Sequence, residues 1–266
     1  MSTKESVEGI ILVLSCQKHL NTRVKEFKLP KSTYVGWKVI YVIGDFFLDE
    51  NYKLVDREES DMLIVKCEDS YIHLLKKLVL SIKYLNEIFD IKQGIIRSGD
   101  DLLFNESTLE IFLNNREKPD FYGCSPSRRS LINPKRDDLK ITRDDYFMAQ
   151  YYAHHLEDFK NPQHNLSGRQ ITKYVRRPQL HHYAVGVLFY ISNKCCKILV
   201  DHMETVNFDI FHFDEFTQSY PYTIEDCAVS FILYYNHIDF IHTNDLYSDN
   251  PNHFKSVVAI HTNKYK

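Results

Sequence analysis

Asp100 and Asp101 stand side by side between two apolar runs, in the stretch QGIIRSGDDLLFN at residues 93–105. Paired carboxylates at the end of a buried strand are a hard oxygen donor set, suited to Mg²⁺ or Mn²⁺. Such ions reach a protein through one or two carboxylates and leave other positions to water and phosphate oxygens. The same two residues also fit a turn that opens a helix, and locally both readings stand. Glu225 and Asp226 form a second acidic pair at the head of the apolar segment 223–236. Helix physics has its own account of them: first-turn carboxylates favour the macrodipole, and Thr223 with Asp226 is close to a capping box. His154-His155 and His181-His182 also invite a metal reading. Adjacent side chains point apart on a helix or strand, so solvated or core histidines are the better account.

The elements that would position these groups alternate regularly. Residues 9–15, 37–43 and 61–65 are apolar runs that read as buried strands. Residues 17–27 read as a helix before Pro30, and 51–60 as a charged surface stretch. In the segment 70–89, Leu74, Leu75, Leu78, Ile82 and Leu85 recur at helical intervals, with Lys76, Lys77 and Lys83 at the edges of that face. A strand at 93–98 follows, and then Ser107 and Glu110 at capping-box spacing open a helix through Leu113. This order predicts an α/β sheet with parallel strands, whose ligands bind at the strands' carboxyl ends. Asp100 and Asp101 lie at such an end. Residues 118–178 read instead as long charged surface connections with a helix around 146–159. The apolar pattern resumes with a strand at 183–192 that holds Gly186, a helix at 193–206, and short strands at 238–242 and 257–261, each ending in a histidine.

Composition narrows the function class. A chain of 266 residues, 44% apolar and 26% charged, is ordinary for a soluble globular protein, and a net charge of −3 gives no reason to expect a nucleic-acid partner. The apolar run 10–14 is too short for a signal-peptide core, and no run reaches the ~18 residues of a membrane span. The expected location is cytoplasmic or otherwise soluble and intracellular. The six cysteines show no C-x-x-C spacing, so free thiols, mostly buried, are expected rather than disulfides or zinc.

Several separated stretches, in fixed order, resemble the inverting, nucleotide-sugar-dependent β-1,3-galactosyltransferase and Fringe family of glycosyltransferases, family 31. These are Ile43-Gly44; Asp61-Met62-Leu63; Asp69-Ser70-Tyr71 with Leu74 and Lys77; and Arg97-Ser98-Gly99-Asp100-Asp101 with Phe104-Asn105. Tyr183, Gly186 and Ser192 follow, then Glu225-Asp226-Cys227 and a closing His261. The resemblance spans nearly the whole chain. It departs at Gly99, where the family has the first Asp of a triplet, and the family's usual membrane anchor and disulfides are not expected from these residues.

The resemblance implies a single GT-A-type domain, a Rossmann-like mixed sheet flanked by helices. Residues 1–115 would form the nucleotide-sugar half and 116–266 the acceptor half. It also implies Mn²⁺ or Mg²⁺ on Asp101 and His261. Arg23, Asp69, Tyr71, Lys77, Arg97, Asp100 and Gly186 would line the donor site. Asp226 is the implied base, with Glu225 as second choice. The activity so implied moves a hexose or N-acetylhexosamine from a UDP-sugar to a hydroxyl of a glycan or glycoconjugate. Two alternatives remain: a metal-dependent phosphoesterase, and a degenerate glycosyltransferase fold that binds carbohydrate or serves assembly, which Gly99 would favour.

Overall fold

In a computed structural model of the chain, β1 (Glu5–Leu14), β2 (Trp37–Gly44) and β4 (Asp61–Val65) run parallel at the centre of an eight-stranded sheet, with β5 (Phe89–Gly99) on the other side of β1. The structure describes residues 4–26, 29, 34, 36–57, 61–125, 140–143, 156–168, 176–179, 183–215, 217 and 220–261. Both faces of these strands are covered, which is why they read as continuous apolar runs rather than alternating ones. Ile10, Leu12 and Leu14 of β1 join one core cluster, and Ile11 and Val13 join the other. The first core is closed by α2 (Leu74–Ile88), α5 (Asn193–Thr205) and α6 (Glu225–Tyr235). The second is closed by α3 (Glu106–Asn114) and a small sheet of β12 (Tyr247–Ser248), β13 (Ala259–His261) and β6 (Leu102–Phe104).

The full strand order is β11-β7-β10-β5-β1-β2-β4-β3. The sheet is mixed, as the family resemblance implied and as the alternation alone did not. β3 (Tyr52–Val55) runs antiparallel to β4 at one edge, within the stretch read as charged surface. Only half-buried and with polar flanks, it carries too weak an apolar pattern to stand out. β7 (Phe121–Gly123) lies inside the region read as surface connections, pairs antiparallel with β10 (Leu188–Ser192) and parallel with β11 (Phe240–His242), and buries Phe121. Three residues are too few to show a period. The rest of that region contributes the ribbon β8 (Lys140–Arg143) and β9 (Arg176–Gln179) and a short helix α4 (Leu156–Lys160). Both adjacent histidine pairs, and most of the helix expected around 146–159, lie outside the described residues.

Other boundaries shift for local reasons. Residues 17–26 hold a 3-10 turn, Gln17–His19, and then a single helical turn, α1 (Arg23–Glu26). Asn105 caps α3 by accepting a hydrogen bond from the Thr108 amide, so the expected Ser107 cap is not the one used. Thr223 does not cap α6: its hydroxyl donates to the Tyr220 carbonyl, and the N-cap position is Ile224. Gly186 precedes β10 in a turn rather than lying within the strand. All six cysteines are free, and Cys67, Cys195, Cys196 and Cys227 are buried. Among the described residues no helix is long and apolar enough to cross a membrane.

Candidate active site

Strand register brings the chemistry-bearing residues to one place. Leu14 of β1 pairs with Val42 of β2 and Gly99 of β5, and Gly44 pairs with Val65. The residues just past these carboxyl ends therefore lie in one row: Ser15, Asp45, Asp69 a few positions on, and Asp100-Asp101. Ser15, Asp69, Asp100 and Asp101 open on a cleft of about 710 Å³, within the size range of small-molecule sites. The far wall is formed by Glu157, Asp158, Asn161, Gln163 and His164.

Two antiparallel pairings add the remote residues. β10 runs against β5 with Leu188 opposite Ser98, so Gly186-Val187 arrives beside Gly99, whose amide donates to the Val187 carbonyl at 2.9 Å. β13 runs against β6 with His261 opposite Leu102, next to Asp101. His261 Nε2 lies 3.7 Å from Asp101 Oδ1. Its Nδ1 side is held by Tyr247 Oη at 2.8 Å and Asp249 Oδ1 at 3.1 Å. Tyr247 Oη also donates to Asp249. An imidazole held through Nδ1 presents Nε2 as its donor atom, the usual arrangement of a histidine metal ligand. Nothing in the sequence pointed to Tyr247 or Asp249.

The acidic pair at 100–101 is divided by its surroundings. Asp100 is 6% exposed, accepts from Ser15 Oγ at 2.7 Å and is bonded by Arg23 Nη1 at 3.1 Å. Asp101 is more open and has Arg23 Nη1 at 3.7 Å from its other oxygen. Burial pushes the Asp101 carboxyl up, but contact with His261 and the Arg23 charge outweigh it and hold the group below its ordinary value. His261 is raised, chiefly by Asp101, with burial acting against. Gly99 matters here sterically. A Cβ at this position would meet Asp101 Oδ1 at 3.0 Å, so glycine gives that carboxylate room.

Asp69 and Lys77 line the cleft, yet their polar atoms serve the fold. Asp69 accepts from the Gly44 amide at 2.8 Å, the Gln17 amide at 2.7 Å and Lys77 Nζ at 2.7 Å. Lys77, 1% exposed, also donates to the Ser15 carbonyl at 2.5 Å. Together they tie the ends of β1 and β2 to α2. Tyr71 is 56% exposed on the cleft lining.

The second acidic pair is divided in the same way. Glu225, 6% exposed, forms a bidentate pair with Arg97, Nε to Oε1 and Nη2 to Oε2, both 2.9 Å. Burial pushes its carboxyl up to about 7 against the pull of Arg97. Asp226 is half-buried, accepting from the Gly186 amide at 3.1 Å and the Cys227 amide at 2.8 Å. A Cβ on Gly186 would press on the Asp226 side chain at 3.1 Å, tighter than ordinary contact, so glycine eases the close approach there.

A galactosyltransferase family model matches residues 25–230, most of the chain. The chain belongs to this family. It is a glycosyltransferase of the β-1,3-galactosyltransferase group, family 31, and its mixed sheet with flanking helices is the architecture expected of such a domain. The match takes in Asp69, Asp100, Asp101, Gly186, Glu225 and Asp226, while Arg23 and His261 lie beyond its ends. A comparison with curated proteins finds no match.

As a holder for a divalent cation the site is economical. Among the described residues no group of three or more His, Cys, Asp or Glu side chains is arranged around one ion. Asp101 and His261 offer one carboxylate and one imidazole. That donor pair fits an ion that takes its remaining positions from water and phosphate oxygens.

Proposed function

We propose that this glycosyltransferase moves a hexose or N-acetylhexosamine from a UDP-sugar to a hydroxyl of a glycan or glycoconjugate, with inversion at the anomeric carbon. The observation that carries the reading is the gathering, at one end of the sheet, of Asp101 with His261 and of Asp226 with Gly186. Asp101 and His261 are the groups that would hold Mn²⁺ or Mg²⁺. Such an ion, when bound, supplies charge neutralisation to a departing diphosphate.

The remaining work falls to the chain itself. Arg23 bonds Asp100 and lies within 3.7 Å of Asp101, so it adds positive charge where diphosphate oxygens would lie. Tyr71 offers an open aromatic face on the same lining. Asp226 takes the proton of the acceptor hydroxyl as its oxygen attacks C1 from the side opposite the leaving nucleotide. A single displacement of this kind inverts the centre. Glu157 and Asp158 on the far wall leave the acceptor side acidic.

The test is a panel of nucleotide sugars offered with mixed glycan acceptors, with and without Mn²⁺, scored by thermal shift and by released UDP. Acceptor-dependent UDP release that requires the ion is expected. Phosphate release from simple esters without acceptor would favour the phosphoesterase, and binding of sugars without turnover would favour the degenerate fold.

A further inference from the structure

Arg97 lines the cleft near the carboxyl end of β5, the strand that leads into Asp100 and Asp101, and its position suggests a donor contact. Its hydrogen bonds point elsewhere. The side chain is 4% exposed. Nε and Nη2 engage the two oxygens of Glu225, and Nη1 donates to the Gly186 carbonyl and reaches the Val187 carbonyl at 3.4 Å. A guanidinium has five N–H donors in a fixed fork, and four of them are accounted for by these contacts. Glu225 has each carboxylate oxygen on Arg97 and is itself buried.

We propose that Arg97 and Glu225 are a buried positioning pair that sets the orientation and charge of Asp226, and that neither residue touches the substrate. This rests on the reading of Asp226 as the base.

The pair acts in two ways. Mechanically, Arg97 fixes the Gly186-Val187 carbonyls, and the Gly186 amide then fixes Asp226 Oδ2. The turn before β10 is thus held on one side by the arginine and on the other holds the base. Electrostatically, Glu225 balances the arginine. Remove that balance and the guanidinium, lying on the same turn as Asp226, is drawn to the remaining carboxylate. A base paired with arginine binds a proton less readily. The sequence neighbours Glu225 and Asp226 therefore have different work: one neutralises the cation so that the other stays available.

The experiment uses the whole chain, with UDP as the binding probe and acceptor-dependent transfer as the activity. Arg97→Lys keeps the charge but loses the fork. UDP affinity should stay within about 2-fold, while kcat falls about 10- to 100-fold, the cost of misplacing a reacting group by an ångström. Glu225→Gln should lower kcat above a pH of about 7, where Glu225 is ionised, with the loss shrinking as pH falls and Glu225 itself takes up a proton; mere loosening would give the same loss at every pH. Gly186→Ala crowds the Asp226 side chain while keeping the main-chain carbonyl that Arg97 engages, and should lower kcat with UDP affinity unchanged. It serves as the independent reading if the buried variants do not fold. Loss of UDP affinity in step with kcat in Arg97→Lys would make Arg97 a donor contact and overturn the proposal. So would full kcat in both Arg97→Lys and Gly186→Ala. Full transfer by Asp226→Asn is a separate result: it removes the base assignment itself, whatever the arginine does.

Discussion

The two acidic pairs, Asp100-Asp101 and Glu225-Asp226, invite comparison because they look alike in sequence: the first lines the cleft, and the second contacts Arg97 and Gly186, two other residues of that lining. In each, the first residue is buried and bound to an arginine: Asp100 to Arg23, Glu225 to Arg97. In each, the second is more open and lies near a glycine that gives it room, Gly99 for Asp101 and Gly186 for Asp226. They differ in the arginine. Arg23 keeps partial exposure and also approaches Asp101, whereas Arg97 is enclosed and engages both Glu225 oxygens through Nε and Nη2. Adjacent carboxylates thus need not share a job. One can be enclosed against an arginine while its neighbour stays more open, and burial with partner geometry tells which is which.

The comparison can be broken most forcefully at the open members. Asp101→Asn should reduce transfer by about 10³-fold or more, the several kcal/mol that a lost metal and diphosphate contact implies, with circular dichroism and melting unchanged. Asp226→Asn should lower transfer by about 10²- to 10⁴-fold, the range of general-base catalysis, with UDP affinity retained in calorimetry. If either substitution unfolds the protein instead, the open members are structural and the parallel fails.

The buried members should respond in stability. Glu225→Ala leaves Arg97 enclosed without its counter-charge and should cost about 3–5 kcal/mol in urea denaturation. Ser15→Ala removes one hydrogen bond to Asp100 and should cost less, about 1.5–3 kcal/mol. A larger loss at Ser15 than at Glu225 would reverse the ranking of the two pairs.

The finest distinction is in pH. Glu225 is raised from 4.5 to about 7 by burial, so between those values the folded chain keeps a proton that the unfolded chain has released. Its contribution to stability is complete below 4.5 and is lost as pH rises through about 7. Glu225→Gln should flatten that decline, whatever it does to absolute stability. An unchanged slope would mean that Arg97 holds Glu225 ionised throughout.

What was legible in the sequence follows from length and period. β1, β2, β4 and α2 were readable because each buries enough consecutive residues to show an apolar run or a helical stripe. Asp100-Asp101 stood out from the residue types alone as a possible metal pair, while the choice of Asp101, His261 and Asp226 as site candidates came from the family resemblance, since an acidic pair beside an apolar run has ordinary explanations. β3 and β7 were missed because half-burial or three residues leave no pattern. The capping reading of Thr223 failed because its hydroxyl found the Tyr220 carbonyl, a competing local hydrogen bond of the kind open to every serine and threonine. Ser15 had a signal that went unused, as a polar residue ending a buried strand. The partners of Arg97 had none, because residues 128 positions apart meet only through the antiparallel return of β10.

Gln163 has one further consequence. Its side chain accepts from the Phe46 amide and donates to Asp45, its carbonyl accepts from the Asp69 amide, and Asn165 reaches Glu68. By residue number the far wall of the cleft belongs to the second half of the chain, yet it is fastened to the ends of β2 and β4 in the first. Anyone exchanging this wall between relatives by grafting segments would therefore have to carry residues 161–165 together with 44–46 and 68–69. A crossover placed midway along the chain would join a wall to a foundation it was not cut to fit.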